Sequence, residues 1–240
     1  MRSAAILAWG ALVLAAAGGC SRARERPPSG EEGSAGAVAM IELLQTYGIR
    51  DPEVLRAMGK VRRPEYIPER FRAGSDPWGD HPCSIGHGQT ISQPFIVAYM
   101  TEKMAPWKGQ RFLEIGTGSG YQAAILAELG AEVFTVEIIP ELAGHARTVL
   151  AVEGYPQVNV LAGDGYQGWP EHAPFDAVLV TCAPEEVPPA LVDQLKDGGR
   201  MILPLGAAGA QRLVILRKKD GRVAIEDDLP VRFVPMVRGR

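Results

Sequence analysis

The chain has 240 residues, a formal net charge of −3 and a hydrophobic fraction of 46%. That length and apolar content supply one substantial core with appendages rather than two full domains. Charge is spread along the chain and no Lys/Arg block exceeds a few residues, which argues against a nucleic-acid surface; Arg217, Lys218 and Lys219 read as a solvated hairpin end.

The first residues stand apart from the fold. Arg2 precedes an apolar run, Ala4 to Ala17, and Gly18-Gly19-Cys20 follows. A charged start, an apolar stretch too short for an ordinary transmembrane helix and a small-residue cleavage site make a signal peptide over residues 1–20. Cysteine after Ala-Gly-Gly resembles a bacterial lipobox, although Ala17 stands where that pattern prefers leucine and Leu14 lies further back. The expectation is an exported protein, lipidated at Cys20 and tethered to a membrane. The alternative is a mis-called start codon that adds an apolar leader to a cytoplasmic protein. Residues 21–36 are mostly Arg, Glu, Pro, Gly and Ser, cannot bury a core and read as a flexible tether. Residues 37–240 form the folded domain.

Val38–Tyr47 has helical spacing of apolar residues. Asp51-Pro52-Glu53 starts a second helix, with an aspartate cap and proline in the first turn. Four prolines between Pro64 and Pro82 mark an irregular stretch anchored by Phe71 and Trp78. Gly86 to Gln93 reads as a polar glycine loop, and Ser92-Gln93-Pro94 opens a helix to about Met104. Strands and helices then alternate: strand Arg111–Ile115, helix Ser119–Leu129, strand Glu132–Glu137, helix Pro140–Val152, strand Val158–Leu161, strand Phe175–Thr181, a helix around Pro189–Leu195 and strand Arg200–Pro204. Gln211–Arg217 and Arg222–Val234 form a closing hairpin around Lys219-Asp220-Gly221. This alternation predicts an α/β, doubly wound, mostly parallel sheet of Rossmann-like type, with N-terminal helices and a C-terminal antiparallel hairpin.

Ligands of such sheets bind at the carboxyl ends of the strands. The strand Arg111–Ile115 breaks into Gly116-Thr117-Gly118-Ser119-Gly120 and then a helix, a cradle for a nucleotide-like cofactor. A dinucleotide fold wants glycine at the sixth position, and Tyr121 stands there. The form G-x-G-x-G is that of methyltransferases using S-adenosyl-L-methionine. Glu114, Gly116, Thr117, Gly118 and Gly120 are the candidate cofactor residues of this loop. Glu137, ending the next strand, suits the ribose hydroxyls, while Asp164 and Gly165, after the third strand, suit the adenine. Taken singly, Glu137 belongs to the start of the Pro140 helix and Asp164 to a turn. The ordered set of glycine loop, first acid and second acid favours the cofactor.

These residues resemble the protein-L-isoaspartate O-methyltransferase family, from about Ile41 to Arg238. The most specific stretch is Ile85-Gly86-His87-Gly88-Gln89-Thr90-Ile91-Ser92-Gln93-Pro94. Leu113–Gln122, Gly163-Asp164-Gly165 with Gly168-Trp169, Pro174-Phe175-Asp176-Ala177, Gln194-Leu195-Lys196 with Gly198-Gly199, and Val231-Arg232-Phe233-Val234-Pro235 match in order. The resemblance implies methylation of the free α-carboxylate of L-isoaspartyl residues in damaged proteins and peptides, followed by closure to a succinimide. It places the family's active-site serine on Ser92, with Gln89 and Thr90 orienting the substrate, no metal and a monomer. A carboxylate is already anionic and needs no general base; the protein must hold two reactants in line and exclude water. On its own, Ser92 before a proline-led helix reads as an N-cap.

Two departures from the family stand out. Ser75-Asp76-Pro77-Trp78-Gly79-Asp80-His81-Pro82-Cys83-Ser84 replaces a tyrosine-containing stretch that ends in Leu-Pro, and Cys182 stands where a small residue is common. Cys83 and Cys182 would lie near the cleft, as free thiols or as a disulfide in an oxidising compartment. Two other functions fit the scaffold: a methyltransferase with a different acceptor, and a non-catalytic exported binding lipoprotein.

Overall fold

The computed structural model describes residues 31–239. The expected signal peptide, Cys20 and most of the expected tether lie outside the described residues. The first helix, α1 (Glu31–Thr46), begins inside the segment expected to be tether. Packing accounts for the earlier start: Ala37 and Met40 are buried, and Gly36 lies so close to Trp78 that a Cβ would collide with the indole.

Helix α2 (Pro52–Lys60) starts as its sequence dictates. The Asp51 carboxylate accepts from the Glu53 and Val54 N–H groups at 2.8 and 3.2 Å. The proline-rich stretch holds a 3-10 turn (Arg63–Tyr66) and the one-turn helix α3 (Glu69–Arg72). Phe71 and Trp78 pack against the core, as their size implied.

The expected polar glycine loop is a two-stranded hairpin, β1 (Cys83–Gly86) against β2 (Gln89–Ile91). His87 and Gly88 turn it with φ of 53° and 70°. Paired left-handed residues match the twist of a tight hairpin, a turn chemistry that a polarity count overlooks. Helix α4 (Pro94–Met104) follows, and its apolar face packs on the sheet.

The main sheet has seven strands, in the order β5-β4-β3-β6-β7-β8-β9. They are β3 (Arg111–Ile115), β4 (Glu132–Glu137), β5 (Asn159–Ala162), β6 (Phe175–Val180), β7 (Leu195–Leu205), β8 (Arg212–Lys219) and β9 (Arg222–Pro230). The first five are parallel and the last two antiparallel. Helices α5 (Tyr121–Glu128), α6 (Pro140–Val152) and α7 (Pro189–Asp193) complete the layers. Two buried clusters cover the two faces, one with Phe112, Ile125 and Met100, the other with Leu113, Phe134 and Phe175. The chain reverses direction across the sheet between β3 and β6, so a ligand crevice opens at Gly116 and Thr181.

Several ends differ from the sequence expectation, among them β7, which begins at Leu195 rather than Arg200. Helix α5 starts at Tyr121 because Gly120 sits before it at φ 87°, where a Cβ would press Leu150 of α6 at 3.1 Å. Gly120 therefore serves helix packing. Strand β9 stops at Pro230 rather than running to Val234. Beyond it, Gln211 takes over: its carbonyl accepts from Val231 N–H, and its side chain bonds both the N–H and the carbonyl of Phe233.

Asp51→Ala should lower the unfolding free energy by about 1 kcal/mol, the usual value of a lost N-cap. Urea denaturation reads it, and methyl transfer should be unchanged, since Asp51 lines none of the three recesses of the crevice.

Candidate active site

Three recesses meet at the crevice, and Thr90 and Thr181 line all of them. The first is a groove over the ends of β3 and β4, walled by Gly116, Gly118, Glu137, Gly165 and Met236. The second is an open trough between α4 and the extended segment after β9, with Ser92, Phe95, Ile96 and Val231 on its walls. The third is a small cavity beneath, reached by Ser92, Glu114, Thr117 and Gln122.

The first groove has the form of a cofactor cradle. Glu137, 5% exposed, accepts from Gly118 N–H at 2.8 Å and from Ile139 N–H at 3.0 Å. One carboxylate thus ties the glycine loop to the end of β4, and each oxygen keeps a lone pair toward the groove. Gly116 is held by Thr181, whose hydroxyl donates to the carbonyls of Ile115 (3.0 Å) and Gly116 (2.6 Å). A Cβ at Gly116 would strike Thr181, and one at Gly165 would strike Ile115. Both positions therefore accept only glycine, because the protein's own side chains already fill the space.

The remaining loop residues do other work. Thr117 shares a 2.7 Å hydrogen bond with Thr135 and faces the small cavity. Glu114, wholly buried, also faces that cavity rather than the groove. Its Oε2 accepts from Thr135 at 2.6 Å, and its Oε1 has no partner. Burial pushes its pKa up to about 8. Asp164 stands outside the groove lining. Its carboxylate accepts from Tyr166 N–H (2.9 Å) and Gly239 N–H (3.1 Å), so here it forms the turn and holds the C-terminal tail. Each of its oxygens keeps a lone pair, and the adjacent Gly165 does line the groove.

On the acceptor side, Ser92 and Thr90 present hydroxyls with no hydrogen-bond partner among the described residues. Ser92 is not the cap of α4, contrary to the reading from sequence alone. Gln93 holds the cap position without a side-chain bond. Asp80 takes the task instead, accepting from Phe95 N–H at 2.7 Å and from Gln93 Nε2 at 3.2 Å. Gln89 lies on the cofactor groove, its amide donating to His87 O, and does not line the trough. Among the described residues Arg232 is the one charged residue lining the trough, so the field there favours an anion. Cys83 and Cys182 are free thiols. Cys182 is partly buried at the groove, and desolvation pushes its pKa up to about 12.

Sequence reading missed Thr181, Met236 and Asp80. Thr181 follows an ordinary buried strand, and Met236 and Asp80 reach the site only through tertiary packing.

The comparisons agree with this geometry. The family model described as protein-L-isoaspartate(D-aspartate) O-methyltransferase matches residues 36–240. The chain is 52% identical over 198 residues to the protein-L-isoaspartate O-methyltransferase of Gloeobacter violaceus, covering 82% of this chain and 96% of that one. It is 48% identical over 236 residues to protein-L-isoaspartate O-methyltransferase 2 of an Anaeromyxobacter species, covering 95% and 96%. A Plasmodium falciparum structure described as a protein-L-isoaspartate O-methyltransferase, solved with S-adenosyl-L-homocysteine, superposes with a TM-score of 0.75 at 26% identity, covering 84% of this chain and 98% of that one.

The raised pKa of Glu114 gives a pH prediction. Stability from the neutral carboxyl is complete below 4.5, its ordinary value, and is lost as pH rises through about 8. Glu114→Gln should therefore lose less stability than the wild type across that window in urea titrations. Parallel pH slopes for the two proteins would contradict the buried, neutral carboxyl.

Proposed function

The chain belongs to the protein-L-isoaspartate(D-aspartate) O-methyltransferase family, and from that premise we propose how its residues carry out the reaction and where it works. The activity is S-adenosyl-L-methionine-dependent methylation of the free α-carboxylate of L-isoaspartyl residues in damaged proteins.

When bound, S-adenosyl-L-methionine supplies an electrophilic methyl on a sulfonium. The groove fits that group: Gly116, Gly118 and Gly165 line it without side chains, and Glu137 has lone pairs for ribose hydroxyls. Gly118 and Gly120 let the loop adopt the left-handed turns it needs. Glu114 and Thr117 support the loop from below, and Asp164 with Gly165 shapes the far end.

The acceptor carboxylate enters along the trough, drawn by Arg232. Ser92 Oγ donates a hydrogen bond that fixes the carboxylate's orientation, and Thr90 Oγ1 gives a second. No residue abstracts a proton, because the nucleophile is already anionic. Gln89 closes the cofactor side of the junction. The observation that carries this reading is a pair of hydroxyls with no partner among the described residues, both on the trough, with Thr90 also on the groove. The carboxylate becomes a neutral ester, which leaves an anion-favouring trough more readily than the substrate. Succinimide closure then needs only the ester's better leaving group and the neighbouring peptide nitrogen.

For location, the proposal is export, with cleavage before Cys20, lipidation there and a tether over the residues that follow. The leader pattern of Arg2, Ala4–Ala17 and Gly18-Gly19-Cys20 supports it. The domain acts as a monomer on accessible isoaspartyl sites.

Ser92→Ala should lower kcat/KM for an isoaspartyl peptide about 10- to 100-fold, the value of one charge-assisted hydrogen bond. The normal aspartyl isomer should remain unmethylated. Full activity of the variant would remove Ser92 from the mechanism. Fractionation with acyl labelling should find the wild type in the membrane and labelled, and Cys20→Ala unlabelled. An unlabelled, soluble wild type would refute the tether.

A further inference from the structure

The first turn of α4 has two candidate caps, and only one is in use. A serine ahead of a proline-led helix ordinarily turns its hydroxyl onto the backbone N–H three residues on. Ser92 stands three residues before Phe95. Yet the Phe95 N–H is taken by Asp80 Oδ1 at 2.7 Å, and Asp80 Oδ2 also accepts from Gln93 Nε2 at 3.2 Å. Asp80 comes from the stretch that departs from the family, thirteen to fifteen residues upstream of its two partners.

Arg63 holds the same junction from behind. Its guanidinium is fully buried and lies over the Tyr121 ring at 5.3 Å. It donates to three backbone carbonyls: Ser92 at 2.7 Å, Pro77 at 2.9 Å and His81 at 3.2 Å. The Pro77 and His81 carbonyls flank Asp80 on both sides. The buried cation fixes the loop that carries the carboxylate, and it fixes the main chain of Ser92 itself. A charged acceptor on a helix N-terminus outcompetes a hydroxyl, because the charge-assisted bond is the stronger one and the helix dipole favours an anion.

We propose that Asp80 is a positioning residue for the methyl transfer: by capping α4 it keeps the Ser92 hydroxyl out of the cap and free to donate into the trough. Arg63 braces the Asp80 loop against the Ser92 carbonyl. Without Asp80, the Ser92 hydroxyl rotates onto Phe95 N–H and the acceptor carboxylate loses its donor. The inference rests on Ser92 orienting the substrate, as set out above.

The test is a double-mutant cycle on the full-length protein with an isoaspartyl peptide as acceptor. Ser92→Ala alone decides the underlying reading: wild-type kcat/KM in that variant would remove both proposals together. Given a loss there, Asp80→Ala should lose kcat/KM by a similar factor, about 10- to 100-fold. The double variant should lose little more than either single one, because both remove the same donor. Asp80→Asn, which still accepts from Phe95 N–H, should recover most of the activity. Stability should show the opposite coupling. The urea midpoint of the double variant should fall by more than the sum of the singles, since Ser92 replaces the cap only when present. Asp80→Ser, too short to reach Phe95, repeats the kinetic arm should the alanine variant fail to fold. Wild-type kcat/KM in Asp80→Ala or Asp80→Ser beside an impaired Ser92→Ala would overturn the role of Asp80. So would losses that multiply in the double variant.

Discussion

The site depends on the buried carboxylate at the end of β4. Glu137 accepts from Gly118 N–H and Ile139 N–H at once, so it joins the glycine loop of β3 to the turn that launches α6. The loop itself has few alternatives: Gly116, Gly118 and Gly120 lie at φ of 95°, 53° and 87°, where other residues are strained. Left-handed glycines give the chain freedom, and the Glu137 bonds remove it again. The result is a backbone edge that can meet a ligand closely while the strand beneath stays in register.

The acceptor side is organised by the same kind of economy. A helix start needs an acceptor for its first N–H groups. A methyltransferase acting on a carboxylate needs a donor beside that start. One hydroxyl cannot serve both needs in one orientation. The chain separates them, with Asp80 on the helix and Ser92 toward the trough. Thr181 makes the join to the cofactor side, since it fixes the carbonyl of Gly116 and lines every recess.

The sheet was legible because its signals are local. Apolar runs, an Asp-Pro helix start and an Asp-Gly hairpin each settle a few residues without help from elsewhere. The glycine loop was legible for the same reason, and it pointed to the right class of ligand. What the sequence concealed is what depends on distant partners. Asp164 reads as a cofactor acid by its place in the order, and nothing local shows that it also holds the C-terminal tail through Gly239 N–H. Gly120 reads as part of the cradle, yet it makes room for Leu150 of α6. Ser92 reads as a cap because local rules cannot see Asp80 across the hairpin. The hairpin Cys83–Ile91 was hidden by its polarity, since two positive-φ residues carry the turn with no apolar alternation.

In the proposed mechanism a free Ser92 hydroxyl in the trough meets the acceptor carboxylate beside Thr90, which also lines the cofactor groove. A crystal structure with S-adenosyl-L-homocysteine and an isoaspartyl peptide would show that contact. The α-carboxylate should lie within hydrogen-bond distance of Ser92 Oγ, about 2.5–3.0 Å, with Asp80 still on Phe95 N–H. A carboxylate held by other groups, with the Ser92 hydroxyl turned onto the helix start, would contradict it.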